Sequence, residues 1–336
     1  DGDQRLCVVL NGEIYNYVEL RAELQGLGHR FVSTSDTEVI LESFKRWGTD
    51  AICRFNGMFA FALYDACDGS LYLVRDRFGV KPLYYVALGK SVHFASTART
   101  MAAQLGLAPD LQYLSCGVRY GLWEHDEAAP YAGMKALKPG HFLRIEPTEH
   151  AQLSCSMHPY YDFGERTAVM ADSLAGISVR TAATQLGDLL EDAVRLRLRA
   201  DVPVAISLSG GLDSSTVAAL AAEHRSDHLR GFTFGEPACE GSEGPLVCEF
   251  SRMTGIDVTY VWPDTDDIIQ SFDQTVAAQV GPFISGSMMA QYLVFQAARK
   301  AGFKVLRGGQ GGDEAFMGYH KFQVFHLRRL LAQKKY

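Results

Sequence analysis

The sequence predicts a two-domain chain of mixed architecture, α+β in its first half and α/β with a parallel sheet in its second. Three observations predict this. Short apolar runs separated by Asp/Gly turns crowd residues 6–96, which favours antiparallel meanders over crossovers. Beyond Gly176 helical and strand patterns alternate, the signature of a parallel sheet covered on both faces. Two of the later strands run straight into glycine-rich turns that carry acids. At 336 residues the length suits about two domains, and a hydrophobic content of 47% is ample for two cores.

In the first half, residues 6–10 form an apolar strand ending in Asn11-Gly12, which reads as a turn pair. Residues 17–27 have helical spacing and stop at Gly28, and 37–47 repeat it up to Gly48. Strands follow at 58–64, 70–74, 82–86 and 92–95. The charged corner at 75–85 is expected to be fixed by ion pairs, with Tyr84 and Tyr85 on opposite faces of one strand. From 99 to 173 the pattern weakens: 117–131 and 150–159 show no period, and 133–145 reads as a turn feeding one strand. This stretch is expected to be the trailing edge of the first domain plus a connector.

The second half gives helices at 179–199, 214–224, 245–254, 265–280 and 287–301, with strands at 202–208, 229–234, 258–262 and 303–306. The strand at 202–208 turns through Ser209-Gly210-Gly211-Leu212-Asp213-Ser214-Ser215 into a helix. Two adjacent glycines let backbone approach a phosphate, and the helix start aims N–H groups and its positive dipole end at the same point. No lysine follows, so this is not a Walker A loop. Beside a polyphosphate a carboxylate is tolerable mainly when a divalent metal bridges the two, so Asp213 points to Mg²⁺. The strand at 303–306 leads into Gly308-Gly309-Gln310-Gly311-Gly312-Asp313-Glu314, a second such turn, and ligands of parallel sheets sit at the carboxyl ends of the strands. The plainer alternatives are a turn whose residues merely fit the bend and, for Asp313 and Glu314, ordinary charge at a helix start.

Basic residues number 32 and acidic residues 39, a formal charge of −7 that gives no reason to expect nucleic acid or an anionic membrane as partner. Seven cysteines, at 7, 53, 67, 116, 155, 239 and 248, include no C-x-x-C pair. That fits a reducing compartment better than a disulfide framework or a zinc ribbon. No stretch approaches the roughly 20 apolar residues of a membrane helix, and the polar start Asp1-Gly2-Asp3-Gln4-Arg5 is no signal peptide, so the cytoplasm is the expected location.

Ser-Gly-Gly-Leu-Asp-Ser-Ser at 209–215 resembles the pyrophosphate loop of N-type ATP pyrophosphatases, and together with 309–314 and Gly318-Tyr319 it is similar to the asparagine synthetase family. Leu10-Asn11-Gly12-Glu13-Ile14-Tyr15-Asn16, Ser35-Asp36-Thr37-Glu38, the run at 56–62 and the corner at 75–85 resemble the class II glutamine amidotransferase domain of that family. The resemblance implies an N-terminal-nucleophile (αββα) glutaminase-like domain at 1–160, followed by a parallel-sheet adenine-nucleotide hydrolase-like domain at 175–336. It implies glutamine as ammonia donor, aspartate or another small carboxylate as acceptor, ATP and Mg²⁺ as cofactors, a β-aspartyl-adenylate intermediate, and asparagine, AMP and pyrophosphate as products. A homodimer is the expected assembly.

Carried onto this sequence, the Asn11 side chain and the Gly12 N–H form the oxyanion hole, and Glu13 and Asp36 hold the glutamine ammonium. An oxyanion needs fixed donors, each worth about 2.7–4 kcal/mol of barrier, and a free amino acid is recognised by its charged amine. By the same carry-over Ser209, Gly210, Gly211, Asp213, Ser214 and Ser215 bind the pyrophosphate end of ATP, Asp213 and Asp313 hold Mg²⁺, Leu208, Gly309 and Gln310 border the nucleotide, and Phe234 touches adenine through its backbone.

Departures set further expectations. The family nucleophile is a cysteine at the mature N-terminus, whereas this chain opens with Asp1, and Cys7 lies inside an apolar run with a peptide-bonded nitrogen. Both domains are therefore expected to be partial, truncated at the two ends, with no glutaminase turnover. Gln310 stands where several relatives have glutamate. A β-lactam-type synthetase or related amidotransferase acting on another carboxylate stays open, as does a nucleotide-binding inactive relative, which Val280-Gly281-Pro282 favours because some relatives have an acidic pair there.

Overall fold

Strand β1 (Leu6–Ile14) passes straight through Asn11-Gly12, pairing along all nine residues with β2 (Gly57–Asp65). The expected turn is absent because both residues sit in register, Asn11 opposite Ala60 and Gly12 opposite Phe59. The computed structural model describes residues 5–123, 125–148, 153–224, 229–239, 242–279, 283 and 285–333; Val280-Gly281-Pro282 lies outside them. Two compact units divide between Ser178 and Val179.

After β1 the first unit continues with α1 (Tyr17–Gly26), α2 (Asp36–Trp47), α3 (Ala51–Arg54), β2, β3 (Ser70–Arg75), β4 (Tyr84–Leu88), β5 (Ser91–Ala95), α4 (Ala98–Leu105), α5 (Leu111–Tyr120), β6 (Lys135–Ala136), β7 (His141–Pro147), β8 (Leu153–Pro159) and α6 (Phe163–Ser173). Among the described residues these strands make two antiparallel sheets, ordered β1-β2-β3-β7-β8 and β5-β4-β6. Alternation along the strands builds the layers. Phe59, Phe61 and Leu63 of β2 pack with Leu20, Leu24, Val39, Ile40 and Ile52 of the helices. Ala60 and Ala62, one residue out of phase, pack with Tyr85 of the smaller sheet and with Leu83 and Leu137, which flank its strands. Tyr84 and Val86 turn the other way, onto Ala98, Met101 and Ala102 of α4. Helix, sheet, sheet, helix is the αββα order, and each large side chain so withdrawn from water contributes about 1.5–3 kcal/mol.

The second unit comprises α7 (Val179–Arg197), β9 (Val204–Ser207), α8 (Leu212–His224), β10 (Arg230–Phe234), α9 (Gly244–Thr254), β11 (Asp257–Val261), α10 (Thr265–Ala278), α11 (Gly286–Lys300), β12 (Val305–Arg307), α12 (Gly312–Phe316) and α13 (His320–Ala332). Its sheet is parallel, ordered β11-β10-β9-β12. Ile206 packs on one face with Val194, Ala218 and Val247 of α7, α8 and α9. Its neighbour Ala205 packs on the other with Val294 and Ala298 of α11. The parallel α/β sheet covered on both faces is what the alternation predicts.

Two further local expectations need correction. The apparently aperiodic 117–131 contains the end of α5, whose Gly117 sits against the Trp123 ring so closely that a Cβ would collide with it. The glycine marks a close approach, not a break. The corner at 75–85 is bound from side chain to main chain. Buried Asp76 accepts the N–H groups of Phe59, Phe78, Val80 and Lys81, while Arg75 donates to the carbonyls of Gly79, Lys81 and Leu137. The chain after Tyr319 is helical as α13.

Candidate functional site

From β9 the chain runs through α8 to β10 on one side, while β12 pairs with β9 on the other. The turns that follow β9 and β12 therefore lie side by side at the carboxyl ends, where the strand order reverses and ligands of such sheets bind. They border a cleft of about 520 Å³ lined by Ser209, Gly211, Asp213, Ser214, Gly309, Gln310 and Asp313. Seven of the sequence-predicted residues thus share one cavity. Gly210 (φ +69°) makes the bend in a conformation that favours glycine, and Ser215 N–H donates to Gly211 O at 3.1 Å in the first turn of α8. Inside the turn Ser214 Oγ receives the Ser209 N–H at 3.2 Å, lies 3.0 Å from Ser209 Oγ and reaches Gly211 O at 3.2 Å.

Two expected residues stand apart. Leu208 is buried in the core with Ile206, Ala218 and Ala221, and its N–H extends the ladder to Phe232 O at 2.8 Å. Phe234 packs on Trp262, ring centroids 5.8 Å apart. Neither side chain lines the cleft, so any contact from them to a nucleotide runs through backbone.

The two turns touch. A Cβ at Gly309 would stand 2.6 Å from Ser214 N, and one at Gly312 would collide with the Asp213 carboxylate; one at Gly318 would collide with that of Asp313. Tyr319 Oη donates to Glu314 Oε1 at 3.1 Å. That bond first, slight burial next, and then the charges of Glu314, Asp313 and Asp213 raise the Tyr319 pKa, so the three acids share one neighbourhood. Among the described residues no group of three or more His, Cys, Asp or Glu side chains is placed to cage a metal. Asp213 and Asp313, both lining this cleft, offer carboxylate oxygens of the kind Mg²⁺ takes together with phosphate oxygens, so the donor chemistry fits that ion.

In the first unit Asn11 lines a cleft of about 230 Å³ with Val9, Ala60, Ala62, Phe94 and Ser96. Cys7, Val9, Asn11 and Glu13 alternate onto the same exposed face of β1. Four residues, about 13 Å of extended strand, separate Cys7 from Asn11. Asp36 is drawn to the end of the strand, its Oδ2 accepting the Ile14 N–H at 2.9 Å. Because that N–H points away from β2, the N–H of Gly12, two residues earlier, faces the same open edge. The structure therefore gathers Asn11, Gly12, Glu13 and Asp36 at one strand end, with Asp36 already bound to backbone. Loop 30–35, which precedes Asp36, is held by Glu38 and Arg21. Sequence reading missed that clamp, and it missed Gln291, Phe295, Arg307 and Phe316 in the cleft of the second unit. The Gln291/Phe295 spacing of four was the available signal, hidden inside an ordinary helical pattern.

Residues 1–161 match the glutamine amidotransferase domain and 185–335 match asparagine synthase. Amidase chry2 of Gibberella zeae is 31% identical over 95% of this chain and 48% of its own length. Amidase chyE of Penicillium rubens is 29% identical over 96% and 49%. Asparagine synthetase [glutamine-hydrolyzing] 1 of Bacillus subtilis is 30% identical over 96% and 49%. The chain spans about half the length of these relatives. Among solved structures, glutamine phosphoribosylpyrophosphate amidotransferase from B. subtilis shows a slight likeness that carries no argument, with a TM-score of 0.35 at 15% identity over 80% of this chain and 51% of that one. No helix among the described residues is long and apolar enough to cross a membrane.

Proposed function

The chain belongs to the glutamine-hydrolysing asparagine synthetase family, and from that premise we propose that it serves ATP-dependent amide formation on a small carboxylate with ammonia drawn from glutamine. One observation carries the reading: two acid-bearing glycine turns meet in a single cleft at the carboxyl ends of adjacent parallel strands. The N–H groups of the turn after β9, the start of α8 and the hydroxyls of Ser209, Ser214 and Ser215 hold the phosphates. The acceptor carboxylate attacks the α-phosphorus, and pyrophosphate leaves into donors already fixed where its charge develops. Asp213 and Asp313 would hold Mg²⁺, which would supply positive charge to offset that of the leaving pyrophosphate. In the first unit the Asn11 amide and the Gly12 N–H stabilise the oxyanion of glutamine, and Glu13 with Asp36 receives its ammonium. By name the asparagine synthetases make asparagine and hydrolyse glutamine, which points to aspartate as acceptor; the amidases match equally well.

Calorimetric titration of the chain with ATP tests the reading. Binding that requires Mg²⁺ and weakens by roughly tenfold or more, about 1.4 kcal/mol, in Asp213→Asn supports it. Equal binding by wild type and Asp213→Asn, or none by either, overturns it.

A further inference from the structure

The approach to Asp36 is built from two helices of the first unit. Leu20 of α1 and Val39 of α2 are buried in the core that Phe59 and Phe61 share, and the residue beside each, Arg21 and Glu38, reaches into residues 30–35 instead. The Arg21 guanidinium stacks on the Phe31 ring, 4.6 Å from its centroid, and donates to the carbonyls of Ser33 and Ser35. Glu38 takes the complementary groups: its carboxylate accepts the N–H of Val32, the N–H of Ser33 and the Ser33 hydroxyl at 2.6–2.8 Å. A planar fork suits two carbonyls as a carboxylate suits two N–H groups, and bonds to ionised partners are the stronger kind.

This clamp ends at Asp36. The Ser35 carbonyl belongs to the peptide unit that joins Ser35 to Asp36, and Arg21 holds it at 3.0 Å. The Ser35 hydroxyl caps α2 by accepting the Thr37 N–H at 3.1 Å. The peptide before Asp36 is thereby fixed, and with it the direction in which the carboxylate leaves the chain. Asp36 Oδ2 is taken up by the Ile14 N–H at 2.9 Å, whereas Oδ1 makes long contacts to the Ser35 and Thr37 hydroxyls, 3.4 and 3.3 Å. A carboxylate oxygen carries two acceptor lone pairs, so Oδ1 keeps capacity for a stronger donor.

We propose that Arg21 and Glu38 are positioning residues for the selection of glutamine: by ordering 30–35 before the substrate arrives, they hold Asp36 Oδ1 where the α-ammonium of the free amino acid is read. The proposal rests on the glutamine reading of the first unit. A loop already ordered loses little further freedom when the ligand binds, which leaves more of the charge-assisted bond as affinity. Both residues act through Asp36 and not on the amide that is hydrolysed.

NMR titration of the full chain with L-glutamine and with 4-carbamoylbutanoate, which is glutamine without its ammonium, tests this without requiring turnover. Arg21→Ala and Glu38→Gln are each expected to weaken L-glutamine by roughly three- to tenfold and to leave 4-carbamoylbutanoate unchanged. In an Asp36→Asn background either change should add less than about twofold, because the group it positions has lost its charge. Arg21→Lys, a milder change to the fold that keeps the charge but not the fork, should fall between wild type and Arg21→Ala. Equal losses for both ligands, losses that multiply with that of Asp36→Asn, or no loss in any variant overturn the proposal while the glutamine reading stands. Failure of the wild-type chain to bind L-glutamine overturns both.

Discussion

The Asp213 carboxylate occupies the space in which a side chain at Gly312 would begin. Gly311, beside it, is glycine for another reason, a φ of +95°. Gly312→Ala is thus expected to push the carboxylate into another rotamer, which a flexible side chain at a half-buried position can adopt without unfolding. Affinity for ATP with Mg²⁺ should fall by roughly tenfold, about 1.4 kcal/mol, while the urea midpoint hardly moves. Gly309→Ala differs, because its Cβ would stand 2.6 Å from Ser214 N and 2.8 Å from the Asp213 carbonyl carbon. Backbone has less room to yield, and a stability loss of about 1–3 kcal/mol should accompany any loss of binding. Unchanged nucleotide affinity in Gly312→Ala would place the ligand away from Asp213.

Gly12→Ala should act on folding before chemistry. A Cβ there collides with Met58 O and stands 2.6 Å from Phe59 Cα, in the middle of the β1–β2 ladder. Denaturant unfolding followed on the first unit is expected to show a loss of about 2–3 kcal/mol. Asn11→Ala, at an exposed position of the same strand, should change stability by no more than about 0.5 kcal/mol. Any effect of that variant on glutamine binding then reports on the amide itself.

Asp76 is 1% exposed, and its two oxygens take four backbone N–H groups at 2.9–3.2 Å. Asp76→Ala leaves those donors without their acceptor, and a destabilisation of about 3 kcal/mol or more is expected. Asp76→Asn keeps one carbonyl oxygen and should recover part of it. A loss under about 1 kcal/mol in Asp76→Ala would show that water or a local shift replaces the carboxylate.

How far the sequence disclosed this molecule depends on how local each determinant is. Helices α1 and α2 were legible because apolar spacing and the stops at Gly28 and Gly48 act within a turn or two. The convergence of 209–215 with 308–314 was legible because both turns follow strands of one parallel sheet. Asn11-Gly12 misled because a turn dipeptide and a pair of strand residues have the same letters, and only the partner strand with Met58 and Phe59 decides between them. Gly117 misled likewise, since Trp123 packs on it from outside the helix. Gln291, Phe295 and Phe316 were invisible because nothing local says which face of α11 looks into the cleft. That is set by Val294 and Ala298 meeting Ala205 across the sheet.

Acid should loosen the segment that leads into Asp36. Glu38 accepts the N–H groups of Val32 at 2.8 Å and Ser33 at 2.7 Å and the Ser33 hydroxyl at 2.6 Å, while Arg21 donates to the carbonyls of Ser33 and Ser35. Burial pushes the Glu38 carboxyl up, but the Ser33 hydroxyl, the two N–H groups and the Arg21 charge outweigh it and hold the group below the ordinary glutamate value. A carboxylate depressed on folding contributes fully above its unfolded pKa, about 4.3, and that contribution is lost as pH falls through the lower folded value. Amide resonances of Val32 and Ser33 should therefore stay at their neutral-pH positions down to about pH 4 and shift only below it. In Glu38→Gln the clamp is weakened at every pH, and the acid-dependent shift of these two amides should vanish. A shift of the same size in Glu38→Gln would assign the transition to another group.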